Sequence, residues 1–356
     1  MSASTSSKRP REDDVEACPA QTKKTCLDAY GFVRDGEFWY LDGTIILVAR
    51  NVQFRVYKGI LADHSSVFAD MFSIPQPASP PACALPLDCP VVYLDDSPED
   101  IRYILQALYP KTYASLVSVE PQIATFDAIS AYVRLGHKYQ MDHLLAQALD
   151  FLRHYFPTDF EKWKTYKDYV PESWTPVQAI GVVNISRLTA CGSILPAALS
   201  VCCTLEGSEL LQGFERKDGT KEKLTEEDTA LCFTALNKLT QASARVMLEA
   251  FAPFTSPECL SRKECQRGVQ ALLYSYTDDS RTIADHHPFR PWSYYTEGSR
   301  HALIICATCQ RILRSRLENG QRRTWNQLPQ LLGITVEGWS GQADEGEDEE
   351  YSESTP

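Results

Sequence analysis

An apolar run near the start of the chain, Thr44-Ile45-Ile46-Leu47-Val48-Ala49, is rich in β-branched residues and too short for a buried helix. It predicts a strand covered on both faces. Arg50-Asn51 break the run as a turn, and Phe54 and Val56 then alternate with polar Gln53 and Arg55. That alternation predicts a second strand over 53–57, pairing back on the first. The period then changes. Ile60 and Leu61 begin a helical pattern that stops at Asp63-His64-Ser65, and Val67, Phe68, Met71 and Phe72 make a second short helix. Ser97 is an N-cap with Pro98 at the first helical position, and Ile101, Ile104, Leu105 and Leu108 give that helix one buried face until Pro110 ends it. Thr125 opens a helix with Phe126, Ile129 and Val133 inward, and Leu144, Leu145, Ala148, Leu149 and Leu152 form the next.

Beyond Pro157 the pattern is helical throughout. Trp174-Thr175-Pro176 starts one helix, and Leu195, Ala198, Leu199 and Cys202 mark another. Residues 206–224, with three glycines and many charges, read as a loop. Thr225-Glu226-Glu227-Asp228 is a capped start with acid groups at the positive end of the helix dipole. From there to Ala252 the chain lacks Pro and Gly, which predicts one long helix or two nearly continuous ones, ended by Pro253. Trp325-Asn326-Gln327-Leu328-Pro329 with Leu331-Leu332 reads as a helix packing its Trp and leucines on the domain.

Asp42, the apolar run at 44–49, Phe54, Tyr57, Lys58, Leu61, Ser65 and Phe68 stand in the order of the BTB/POZ domain signature, which this stretch resembles. Leu94-Asp95-Asp96-Ser97-Pro98-Glu99, followed by Ile101, Ile104, Leu105, Leu108, Tyr109 and Pro110, looks like that family's third strand, its next helix and the closing tyrosine. The match spans roughly 38 to 155. Tyr57 stands where the family has a histidine, which puts the histidine's hydrogen bond in doubt and leaves the fold untouched. The chain is similar to BTB proteins of mushroom-forming fungi, which carry a long helical region after the domain. The resemblance implies an α+β fold: a BTB/POZ α/β domain followed by a mainly α-helical C-terminal domain. It divides the chain into a disordered tail (1–27), the BTB/POZ domain (28–157), the helical domain (158–340) and a disordered acidic tail (341–356). Strands at 44–49, 53–57 and 91–94 covered by helices are the expected core. The Pro-rich stretch 73–90 becomes a loop inserted before the strand at Val91–Leu94.

Composition narrows the function. Apolar content of 44% and charged content of 23% are those of an ordinary globular protein. No stretch of 18 apolar residues occurs, so no transmembrane helix is expected. The start, MSASTSSKRPREDD, lacks the apolar core of a secretory signal. The twelve cysteines are therefore expected in a reducing compartment, as core residues or metal ligands. Net charge is −12, seven units of which stand after Gly341; the remainder carries −5 and argues against a nucleic-acid surface. Lys8-Arg9-Pro10-Arg11 and Lys23-Lys24 are spaced like a bipartite nuclear signal, or belong to an ordinary solvated tail, so the expected location is nuclear or cytoplasmic.

One group carries metal chemistry. Cys259-x5-Cys265 and Cys306-x2-Cys309 can supply four thiolates to one structural Zn²⁺, leaving no open position for catalysis. Ser261 and Glu264 form a capping box that would place Cys265 in a helix's first turn, where the dipole favours thiolate. His286 and His287 are alternative ligands, and the polar loop around them, with Asp278-Asp279, Pro288 and Pro291, needs a metal to order it. Four unconnected cysteines are the bland alternative. Cys202-Cys203 read as packing, and His137 and His143 as surface groups. Arg311, Arg314, Arg316, Arg322 and Arg323 read as a solvated helix face, or as partners of the acidic tail, rather than a phosphate site.

Asp63-His64-Ser65 holds the residue types of a hydrolase triad, but sequence neighbours cannot adopt triad geometry. There is no Gly-rich phosphate loop, no G-x-S-x-G and no H-E-x-x-H. The expected function is non-enzymatic: BTB-mediated dimerisation and scaffolding, in nuclear or transcriptional regulation. The alternative is a substrate adaptor for a cullin-based ubiquitin ligase, disfavoured because no Glu occurs between Met71 and Pro98. Expected partners are proteins, as a homodimer or BTB heterodimer, with no nucleic acid, membrane or small-molecule substrate. The expected interface is Phe38, Trp39 and Tyr40, an aromatic cluster just ahead of the first strand, with Asp42 and with Lys58 at the start of its helix.

Overall fold

The computed structural model describes residues 31–74, 89–109, 124–165, 169–254, 256–277 and 286–339. The basic clusters at 8–11 and 23–24, the Pro-rich residues 75–88, Pro110, Asp278-Asp279 and the acidic tail lie outside the described residues. The chain divides into two compact units.

The first unit, described over 31–57 and 89–95, is a four-stranded sheet in the order β1 (Val33–Trp39), β3 (Val52–Val56), β2 (Ile45–Ala49), β4 (Val91–Leu94). β2 and β3 form the expected hairpin, antiparallel with Ile45 opposite Val56 and Ala49 opposite Val52. Arg50 turns it with φ 51°. β4 runs parallel to β2, and all five residues of β2 are buried, as its unbroken apolar run requires. β1 corrects the reading of Phe38 and Trp39 as lying ahead of the first strand: they belong to an additional strand, parallel to β3. Its alternation is broken by Asp35. That carboxylate is buried and accepts from the backbone N–H of Glu37 (2.9 Å) and Phe38 (2.8 Å), and the register shifts between Arg34 and Trp39.

The second unit holds the helices. α1 (Lys58–His64) and α2 (Ser66–Ser73) meet at Ser65, whose hydroxyl accepts from Phe68 N–H (3.0 Å) and donates to the Tyr139 carbonyl (2.5 Å). α3 (Pro98–Leu108) is capped by Ser97 and α4 (Phe126–Lys138) by Thr125, as their sequences predict. α5 (Asp142–Tyr155), α6 (Phe160–Trp163), α7 (Ala179–Thr189), α8 (Leu195–Cys202) and α9 (Gly207–Gln212) follow. α10 (Glu226–Ala250) is one continuous helix capped by Thr225, and its Asp228 takes two nitrogens of Arg187. α11 (Arg262–Tyr274), α12 (Trp292–Thr296), α13 (Ala307–Asn326) and α14 (Leu328–Leu332) complete the described chain. Phe126 and Val133 of α4 and Leu152 of α5 share one core with Trp163, Ile180, Leu199, Leu239 and Trp325. A second core gathers Val246, Met247, Val269, Leu272, Tyr295, Leu313 and Leu317. No helix among the described residues is long and apolar enough to cross a membrane.

Residues 206–224 are not a plain loop. They form α9 and a hairpin of β5 (Phe214–Glu215) and β6 (Lys221–Glu222). Two of the charges that suggested solvent are turned inward. Arg216 and Glu222 are each 7% exposed. Arg216 reaches Asp100 (2.5 Å) and Asp127 (3.5 Å), while Glu222 accepts from Arg134 (2.8 Å) and Asn184 (2.7 Å). Phe214 sets its ring edge-on to Phe126 at 5.2 Å. The hairpin depends on Gly213, at φ 65° and ψ −153°, a region open in practice to glycine alone. A Cβ there would stand 1.8 Å from the Glu222 carbonyl oxygen. Gly213→Ala is expected to cost about 3 kcal/mol or more in denaturant unfolding. Gly219→Ala, at φ 79° in open space, bears backbone strain alone and should cost about 1 kcal/mol.

Candidate metal centre

Two turns and two helix starts bring the four cysteines together. Cys259 closes a turn through its N–H to the Ser256 carbonyl (3.1 Å), three residues before α11 begins. Cys265 lies in the first turn of α11, its N–H bonded to the Ser261 carbonyl (2.9 Å). The predicted capping box is not formed: Ser261 makes no side-chain cap, and the backbone alone carries the turn. Cys306 is the N-cap of α13, and Cys309 sits one turn inside it. The Cys306 N–H points at Cys265 Sγ (3.3 Å), tying the second pair to the first.

Two residues not singled out in the sequence hold this arrangement. Gln310 donates from its side-chain amide to the carbonyls of Ala302 (2.9 Å) and Ile305 (2.8 Å), fixing the turn that leads into Cys306. Gly268 lets α11 approach that turn: a Cβ there would stand 2.9 Å from Ile305 Cγ1 and 3.3 Å from the His301 carbonyl oxygen. A glycine one turn after a ligand cysteine is the only trace such a close approach leaves in sequence.

The sulfurs of Cys259, Cys265, Cys306 and Cys309 all lie within 4.8 Å of one another. Cys259 and Cys265 are 3.6 Å apart, and Cys306 and Cys259 3.9 Å. A tetrahedral ion with bonds of about 2.3 Å needs its sulfurs roughly 3.8 Å apart. A disulfide needs about 2.05 Å, so neither pair is one. Cys259, Cys265 and Cys309 are buried and Cys306 half-buried. The Cys306 thiol is pulled down to about 7, chiefly by the Cys309 backbone N–H, while burial pushes the Cys265 and Cys309 thiols up. The donor set is all sulfur and fits a closed tetrahedral site, as the spacing predicts.

The alternative ligands lie elsewhere. His287 is buried against the Tyr169 ring (4.8 Å) and accepts from the Phe289 N–H through Nδ1 (3.3 Å). Residues 287–290 do order by burial, contrary to the expectation for that loop. Phe289 packs edge-on to Trp325 (5.3 Å), and Gln321 donates to the Pro288 and Arg290 carbonyls. Cys202 and Cys203 are core, as expected, and His137 and His143 are exposed. The five arginines of α13 have internal partners. Arg314 pairs with Glu318, Arg322 with Glu161, Arg323 with Glu249 and Arg311 with Glu258. Arg316 bonds the Ala252 carbonyl and lies over the Phe254 ring.

Among the expected interface residues, Phe38 is fully buried within its own chain. Trp39 and Tyr40 are half-buried, with Arg34 stacked on Trp39 (4.7 Å) and Tyr40 against Tyr57 (5.1 Å). Asp42 and Lys58 are exposed, and Tyr57 donates its hydroxyl to Asp42 (2.7 Å).

The family profile of the BTB/POZ domain matches residues 40–155, about a third of the chain. No curated protein and no solved structure matches it. The chain thus carries a BTB/POZ domain of sheet and helices, followed by a mostly helical C-terminal region. BTB/POZ domains mediate protein–protein interaction and are not an enzyme family.

Proposed function

We propose that this chain is a non-enzymatic interaction scaffold. Its BTB/POZ domain dimerises, with a second copy or with another BTB chain, and one structural Zn²⁺ on Cys259, Cys265, Cys306 and Cys309 orders the helical region behind it. The observation that carries the interaction half is the BTB/POZ match over 40–155. The metal half rests on four sulfurs at tetrahedral spacing. The triad-like Asp63-His64-Ser65 supports no enzyme, because the Ser65 hydroxyl is committed to capping α2 and to Tyr139 while His64 is exposed. The dimer surface is argued from β1, an edge of the described sheet. Trp39 and Tyr40 are half-exposed there, and Leu41 is 83% exposed. A nuclear role in transcription rests on the two basic clusters, and the kinship with fungal BTB proteins on the signature residues.

Light scattering on the full chain at high micromolar concentration should give twice the chain mass, and Leu41→Lys with Trp39→Ala should give the monomer. A monomer at every concentration, with no BTB chain in pull-downs, would remove the dimer reading and leave the zinc reading standing.

A further inference from the structure

Where α10 passes α13, Gly320 takes the place of a side chain: a Cβ there would stand 3.4 Å from Val246 Cγ2. Beside it lies a groove of about 250 Å³, walled by Lys238, Gln241, Arg245 and Glu249 of α10, by Arg323 of α13 and by Gln327 just past its end. Three cations face one carboxylate here, on a chain of net charge −12. The carboxylate, Glu249, is already paired with Arg323. Lys238 and Arg245 are exposed and make no ion pair among the described residues.

The chain beyond the groove is the complement. Residues 324–356 hold no Lys or Arg, and Asp344, Glu345, Glu347, Asp348, Glu349, Glu350 and Glu353 crowd ten positions. Trp339, the last described residue, is held on the same helix end that bears Arg323. Its indole N–H donates to the Trp325 carbonyl (2.9 Å), and the two rings lie 5.2 Å apart. Residues 340–344 can span up to about 17 Å when extended, and the groove's Thr324 adjoins Trp325, on which Trp339 is held.

We propose that the acidic segment 344–353 of this chain docks into the α10–α13 groove. Each surface ion pair contributes little by itself. A tether of a few residues, however, holds seven carboxylates at an effective concentration on the order of millimolar. The contact is electrostatic and weakens with salt. It is independent of the zinc and dimer readings.

Acetylation of the full chain with an amine-reactive ester, read by mass spectrometry, tests it. Lys238 should react several-fold more slowly in the native chain than in a variant with D344N, E345Q, E347Q, D348N, E349Q, E350Q and E353Q. Exposed Lys162 should react equally in both, and high salt should abolish the difference. A fluorescein-labelled peptide of residues 341–356 should bind that amide variant, and adding K238E and R245E should abolish binding. Equal Lys238 reactivity in the two chains would overturn the proposal. So would peptide binding indifferent to K238E and R245E, which would place the segment on the basic surface around Arg262 and Lys263. Binding of a short single-stranded oligonucleotide to the groove, equal in native and amide chains, would make it a nucleic-acid surface instead.

Discussion

Cys309→Ser in the full chain is expected to drop bound zinc from one ion per chain to well below one, and to loosen the second core without touching the first. The turns bearing the ligands leave part of their apolar surface in solvent. Leu260, next to Cys259, is fully exposed, and Leu303, three residues before Cys306, is 86% exposed. Burial holds these turns only in part, through Cys259, Ala302 and Ile305, and an ion bound only by the folded form would add to it. At a free zinc level 1,000-fold above its Kd, that binding adds about 4 kcal/mol. Stripping zinc from the native chain should lower its unfolding midpoint by that order. A chelator has a route, since a cleft of about 200 Å³ lined by Phe251, Phe254 and Arg262 reaches Cys259, Cys265 and Cys309. The Cys309→Ser chain should be indifferent to the same chelator. That insensitivity separates a lost metal from a lost packing group, because a buried thiol with no such role, such as Cys202, should cost only packing when truncated. A native chain that purifies without zinc, and keeps its midpoint in chelator, would end the reading.

The parts of this molecule that were legible in sequence are those whose causes are local. The β2–β3 hairpin follows from one apolar run, a two-residue break and an alternation. Ser97, Thr125 and Thr225 announce α3, α4 and α10 because a cap acts within three residues. The four cysteines were legible across a gap of 41 residues because thiol chemistry survives separation. The rest was hidden where a polar residue does a structural task. Asp35 spends its carboxylate on two backbone N–H groups and so erases the alternation of β1. His287 looked like a ligand and is a core ring. Ser261 and Glu264 had the spacing of a capping box, but the turn closes without it. Arg216 and Glu222 looked solvated because their partners stand 116 and 88 residues away.

Arg216→Met is expected to destabilise the helical unit by about 3–5 kcal/mol, more than any exposed charge substitution, because it strands two carboxylates. The Arg216 side chain is almost wholly buried, as are Asp100 and Asp127, at the starts of α3 and α4. An apolar replacement keeps the volume and removes the only cation shown between them, so the cost comes from charge left unpaired. Burial already holds the Asp100 carboxyl above its usual range, against the pull of Arg216. Without the guanidinium that carboxyl should rise further and protonate in the folded chain. A carboxyl whose folded value exceeds its unfolded value favours the folded state below the unfolded value and loses that contribution as pH rises through the folded one. The gap between variant and native unfolding midpoints should therefore be widest at high pH and narrow as pH falls through the raised folded value. Removing the charge on all three, as Arg216→Met with Asp100→Asn and Asp127→Asn, should recover much of the loss at neutral pH. A triple variant no better than Arg216→Met would show that the hairpin is held by shape, through Gly213 and Phe214, rather than by its buried ions.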